Sequence, residues 1–222
     1  MGRSVARKAG KRVAPSVGSR YVRAVLDKAI DGVGPLRSAA ATADSKLVDA
    51  GGDVEHATTK LVRLHVSLAG AQGFVTNLGG IAALPISVPA NVAGVTLVQC
   101  HLIAGIARLR GYDLDDPRVR NAILVCMLGE DAAKGLVKSS SLPATPMGLA
   151  TAAVHDPTLD ELVSREVTTD LLARTAGRRA VTLVGRRIPL LGGVVGGTSD
   201  AFVTWQLGQF AKREMIDRNL PR

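Results

Sequence analysis

Residues 73–89 read GFVTNLGGIAALPISVP, and the way this stretch is read decides the fold. It lies inside a longer run, Leu64 to Ala107, that holds no Asp, Glu, Lys or Arg, in a chain with a net charge of +9. Gly79-Gly80 is conformationally permissive, and Pro85 and Pro89 push the residues before them toward extended backbone, so a break is expected here. The residues after Pro89, ANVAGVTLVQCHLIAGIARLRG, are apolar almost all round at helical spacing and stop at Gly111, a natural C-terminal cap. An uncharged, turn-interrupted segment joined to such a helix reads as a helical hairpin at the centre of a domain.

Working outward, apolar residues recur at helical spacing nearly everywhere and no stretch alternates with period two, which predicts an all-α chain of six to eight helices. A short helix is expected over Tyr21–Ile30. Asp53 is placed to cap a helix through VEHATTKLVRLHVSLAGAQGF, with Leu61, Leu64 and Leu68 on one face. Asp116-Pro117 and Asp156-Pro157 repeat one start signal, a capping carboxylate followed by proline in the first turn. Asp131 is assigned a capping role as well. KSSSLPATPMG, residues 138–148, reads as the main loop, and Pro189 opens the last helix.

With 222 residues the chain suits a single domain. Two segments are expected: a basic arm over residues 1–20 and a compact helical domain over 21–222. Residues 1 to 37 carry Arg3, Arg7, Lys8, Lys11, Arg12, Arg20, Arg23, Lys28 and Arg37 against only Asp27 and Asp31. Such an arm suits an anionic surface, a membrane leaflet or nucleic acid. Aromatics make up only 3% of the chain, which weighs against stacked nucleobases. No apolar segment follows the N-terminal charges and no Ser or Thr stands at position six, so neither a secretory signal nor a myristoyl anchor is expected. Cys100 and Cys126, each in an apolar setting, are expected to be buried reduced thiols.

No catalytic set and no metal site can be assigned. HExxH, CxxC and GxSxG do not occur. GGVVGGTS, residues 192–199, nearly spells a phosphate loop, but Thr198 stands where the lysine must be. Gly192, Gly193, Gly196 and Gly197 instead form small-xxx-small pairs, a glycine zipper along which another helix can approach closely. Asp200, three residues on, falls beside that face and is expected to be buried and partnered, with Arg110 or the Gly79-Gly80 amides as candidates. Gln99 and His101 sit near the middle of the apolar helix, where a lipid-facing helix avoids polar groups.

GFVTNLGGIAALPISVPANVAGVTLVQCHLIAGIARLRGYDLDDPRVR (Gly73 to Arg120) resembles the central signature of the EcsC family, a group of mostly bacterial helical proteins. RRIPLLGGVVGGTSDAFVTWQLGQFAKREMIDRNL (Arg186 to Leu220) is similar to its C-terminal signature. The matching positions are Gly79, Gly80, Pro85, Pro89, Gly111, Tyr112, Asp113, Pro117, Pro189, Gly192, Gly196 and Arg218. Two positions depart from the pattern: Ser87, where relatives often place an acidic residue, and Asp200, near which they often place an amide. The resemblance implies a cytoplasmic helical protein associated with the inner face of a membrane, and it implies no agreed reaction.

The expectation is therefore a non-enzymatic protein that binds anionic lipid, acyl chains or a membrane protein partner, without cofactor. The candidate residues are Arg3, Arg7, Lys8, Lys11, Arg12, Gly79, Gly80, Pro85, Pro89, Gln99, Tyr112, Asp113, Gly192, Gly196 and Asp200. Two alternatives stand beside it. One is a nucleoid-associated protein using the basic arm. The other is an enzyme with an unfamiliar site gathered from Asp113, Asp115, His101 and Asp200.

Overall fold

The computed structural model describes the backbone over residues 18–78, 84–184 and 189–218, and side chains over 18–71, 93–174 and 199–218. Among these residues there are nine helices and no strand. They are α1 (18–31), α2 (Ala39–Asp49), α3 (Val54–Leu78), α4 (Leu84–Leu109), α5 (Pro117–Leu128), α6 (Glu130–Lys138), α7 (Pro146–Ala150), α8 (Thr158–Val184) and α9 (Pro189–Glu214). The chain is all-α, as its periodicity predicts. The helix count exceeds the expected range: α7 begins inside the stretch 138–148 read as loop, and α6 is a separate short helix that ends where that stretch begins.

The helix starts follow the capping chemistry. Asp53 accepts from the His56 amide at 2.9 Å, Asp116 from Arg118 at 2.8 Å, and Asp156 from Thr158 at 2.9 Å, each filling an orphan donor of a first turn. Thr145 caps α7 in the same way, which lets Pro146 begin a helix inside the expected loop. At α6 the cap position belongs to Gly129, and Asp131 lies in the first turn rather than at the cap. The carboxylates of Glu130 and Asp131 there favour the positive end of the helix.

One expectation fails at the start of α4. The helix begins at Leu84 and runs through both Pro85 and Pro89, so neither proline marks an extended segment. The first four amides of a helix have no internal partner, and Pro85 sits among them at no cost; Pro89 removes one further ladder bond. At the other end Gly111 takes φ +77 and Tyr112 N donates to Ala107 O at 3.0 Å, the left-handed cap the sequence predicts.

The core is built almost wholly of aliphatic side chains. Leu26, Leu61, Leu102, Ile103, Ile106, Ile123, Leu124 and Met127 are fully buried, and α4 is buried all round over residues 98–107, with Arg108 in its last turn reaching solvent. On α3 the inward face is Ala57, Leu61, Val62, His65 and Ala69, whereas Leu68 turns out to solvent. The face that carries Leu61, Leu64 and Leu68 is thus buried at Leu61 and exposed at Leu68, and the helix rolls so that His65 meets His101 of α4. Cys100 and Cys126 are buried free thiols, and burial raises the Cys100 thiol to about 12.

Glycine sets how closely α3, α4 and α9 approach. A β-carbon on Gly105 of α4 would lie 2.8 Å from Leu61 Cδ2, and one on Gly208 of α9 would lie 3.1 Å from Val62 and 3.3 Å from Leu102. Gly105→Val is expected to cost about 1–3 kcal/mol in denaturant unfolding, since Leu61 has nowhere to move. Gly135→Ala on α6, where nothing lies within 4 Å of the added carbon, is expected to stabilise by about 0.5–1 kcal/mol.

Candidate functional site

The register of the three central helices follows from a few contacts. Leu61 meets Gly105 and His65 meets His101, so α3 and α4 run antiparallel as the expected hairpin. Val62 meets Gly208 and Glu55 meets Lys212, so α9 is also antiparallel to α3 and therefore parallel to α4. One pole of this sheaf thus gathers the end of α3 and the starts of α4 and α9. In sequence these segments carry a single ionisable carboxylate and no Lys or Arg: none over 64–107, and only Asp200 over 189–211.

The opposite pole is densely charged. Glu55 pairs with Arg110 and with Lys212 at 3.1 Å, tying the start of α3 to the ends of α4 and α9. Arg218 N donates to Arg110 O at 3.0 Å, and its guanidinium lies over the Tyr112 ring, 5.5 Å from the centroid. Arg213 and Lys134 both engage Glu130. The sheaf is polarised along its length.

At mid-length of the sheaf, bordering its uncharged half, the outer stripe of α9 exposes aromatic surface. Phe202 and Trp205 are 57% and 47% exposed and stack on each other, with centroids 6.1 Å apart and planes at 23°. Leu68 adds a third exposed apolar side chain on neighbouring α3. Phe210, two turns nearer the charged pole on the same helix, is buried. Basic residues flank this half in sequence: Arg178 and Arg179 stand in the last turns of α8, and Arg186 and Arg187 immediately precede α9.

The expected site residues are dispersed. Gln99 is buried and donates to Thr204 Oγ1 at 3.2 Å, bonding α4 to α9. Tyr112 is buried under Arg218, and Asp113 is exposed, accepting from the Asp115 amide at 3.0 Å. Asp200 is 1% exposed, in keeping with its place beside the glycine positions. Its expected partner Arg110 instead pairs with Glu55 at the far pole. Gly192 and Gly196 lie on helical backbone in α9, and Pro85 and Pro89 on that of α4. Arg3, Arg7, Lys8, Lys11, Arg12, Gly79 and Gly80 lie outside the described residues.

The pieces of an unfamiliar active site do not assemble. Asp113 and Asp115 line a shallow open groove of about 540 Å³ together with Asp116, Arg118 and His155. His101 and Asp200 are buried elsewhere. Within the groove the Asp116 carboxylate is committed to the Arg118 guanidinium, whose hydrogen bonds hold it below the usual carboxylate range. Among the described residues no group of three or more His, Cys, Asp or Glu is arranged to hold a metal.

Two buried polar clusters have no counterpart in the sequence reading. Arg23 of α1 donates to Ser164 Oγ at 2.7 Å, Asn121 Oδ1 at 2.5 Å and Asp160 O at 2.7 Å, while Asn121 Nδ2 donates to Asp160 Oδ1 at 2.8 Å. These bonds join α1, α5 and α8 across more than ninety residues of sequence, a separation that no local pattern reports. The second cluster is the contact of His65 with His101, Nε2 to Nδ1 at 2.7 Å. Two polar residues on otherwise apolar helix faces were its only signal.

Arg23→Met is expected to destabilise by roughly 2–4 kcal/mol in urea titration, because it strips a buried amide and carbonyl of their donor. Burial lowers His65 to about 4 and His101 in the same direction. Both rings are thus held neutral in the fold, while the unfolded chain protonates them near 6.5. Their contribution is fully present above about pH 6.5 and is lost as pH falls toward 4. The urea midpoint at pH 5 is expected to lie below that at pH 7.5.

Among the described residues no helix is long and apolar enough to cross a membrane. No family model, no curated protein and no solved structure matches the chain.

Proposed function

We propose that this chain is a non-enzymatic peripheral membrane protein of EcsC type, which docks the uncharged pole of its helical sheaf on an anionic lipid surface at the inner face of a membrane. The observation that carries this reading is the stacked, exposed pair Phe202 and Trp205 at mid-length of α9, at the border of a pole whose segments hold no Lys or Arg in sequence. Exposed aromatic surface of this size is costly in water and well suited to a bilayer interface, where an apolar ring meets headgroups. Half-burying each ring contributes roughly 2–3 kcal/mol at about 25 cal/mol per Å². Each arginine near the anionic surface adds about 1 kcal/mol. Arg178, Arg179, Arg186 and Arg187, which border α9 in sequence, supply that attraction in this reading, and the N-terminal arm, with Arg3, Arg7, Lys8, Lys11 and Arg12, supplies more. Together these terms are sufficient for reversible, salt-sensitive attachment without a spanning helix.

Trp205 is the single tryptophan of the chain, so its fluorescence reports on this surface alone. Addition of vesicles containing phosphatidylglycerol is expected to shift its emission to the blue, and brominated acyl chains to quench it. Phe202→Ser is expected to weaken vesicle co-sedimentation on the order of tenfold or more while leaving thermal stability unchanged, since the ring is already exposed. Unchanged emission with vesicles, together with a shift on adding duplex DNA at the same ionic strength, would overturn the membrane reading in favour of nucleic acid.

A further inference from the structure

His65 on α3 and His101 on α4 meet at the midpoint of the hairpin, 1% and 0% exposed. Three contacts run through them in series. His65 Nδ1 lies 2.8 Å from Leu61 O, His65 Nε2 lies 2.7 Å from His101 Nδ1, and His101 Nε2 lies 2.9 Å from Arg37 O. All are hydrogen-bond distances.

Counting protons constrains this chain. Carbonyl oxygens only accept, so both outer nitrogens must carry hydrogen, and the inner pair of nitrogens needs one hydrogen between them. Three protons are required. Two neutral imidazoles bring one each, which leaves either two lone pairs facing at 2.7 Å or one ring nitrogen facing a carbonyl with no hydrogen between. A fourth proton is excluded, because it would set two N–H groups against each other at the same distance and place two charges in contact. The continuous chain closes with one added proton and not with two.

We propose that His65 and His101 form a single buried site that binds one proton, shared between Nε2 and Nδ1, and that this proton completes a continuous hydrogen-bond chain from the α3 backbone, through both rings, to the α1–α2 link. The link, residues 32–38, ends at Arg37 and at Ser38, whose hydroxyl caps α2 by accepting from Ala41 N at 3.1 Å. Neutral rings can leave the Arg37 carbonyl without a donor, whereas the singly protonated pair bonds it and the Leu61 carbonyl together. The inference is independent of what the uncharged pole docks on.

The surroundings set the direction of the response. The ionisable residues closest in the chain are Arg37 on the link, Asp44 on α2, Lys60 and Arg63 on α3, Cys100 and Arg108 on α4, and Asp200 on α9. Arg37 offers its carbonyl, Asp44 is engaged by Arg108, and Cys100 is held as the neutral thiol. The influences on His65 are burial, the Leu61 carbonyl and the partner ring; those on His101 are burial and the carbonyls of Arg37 and Ser38. No carboxylate is among them, so burial dominates and the pair takes up its proton below the ordinary histidine range.

The test is imidazole ¹⁵N and ¹H NMR of the full chain between pH 8 and pH 4. The protein has four histidines, and His56→Asn and His155→Asn serve to assign the remaining signals to the pair. The expected result is that both rings shift together with one midpoint, take up one proton in total, and share a slowly exchanging hydrogen with coupling to nitrogen on both sides. Two separate protonations, or no uptake before the protein unfolds in acid, would overturn the proposal. So would stoichiometric metal in the purified protein whose removal by chelator changes the two rings.

Discussion

The β-carbon that Gly105 lacks would stand 2.8 Å from the Leu61 side chain, and the one that Gly208 lacks would crowd Val62 and Leu102. This close approach of α3, α4 and α9 is the constraint on which the rest of the structure depends. Helices packed so tightly present aliphatic side chains to one another and leave little room for ionised groups, whose burial without partners would cost several kcal/mol each. Charge is therefore displaced to the ends. The polar groups that remain inside are bonded across helices, as Gln99 is to Thr204 and His65 to His101.

At one end the displaced charge is put to structural use, since Glu55, Arg110, Lys212 and Arg218 knit the start of α3 to the ends of α4 and α9. Such exposed pairs add little stability singly, and a network across three helix ends chiefly fixes their register. The other end has no comparable set of charges in its sequence, and Phe202 and Trp205 are exposed at mid-length of α9, where that uncharged stretch borders the rest. The same packing rule that excludes charge from the core thus leaves a pole whose segments are nearly free of charge in sequence.

Features written in local chemistry were legible in the sequence. Asp53, Asp116 and Asp156 announce their helices because capping depends on residues two or three positions apart, and Gly111 announces an end because it alone takes φ +77 there without strain. Pro85 and Pro89 misled, because proline is destabilising inside a helix and nearly neutral in its opening turns, and the sequence does not mark which turn they occupy. Leu68 misled because neighbouring positions on one helix face look alike until a partner helix selects the roll. His65 with His101 and the bonds of Arg23 join distant segments, and local periodicity carries no record of such pairs. The exposure of Phe202 and Trp205 was hidden for a related reason: apolar residues read as core until their helix is oriented.

The central claim is that the uncharged pole, and not the charged one, faces a bilayer. Amide hydrogen exchange followed by mass spectrometry, with and without anionic bicelles, tests it most directly. The account predicts added protection in peptides covering 64–78, 84–98 and 189–205, with none over 54–60, 106–118 and 209–218. Protection confined to the charged pole, or absent from the helical segments altogether while the protein is bicelle-bound, would contradict it.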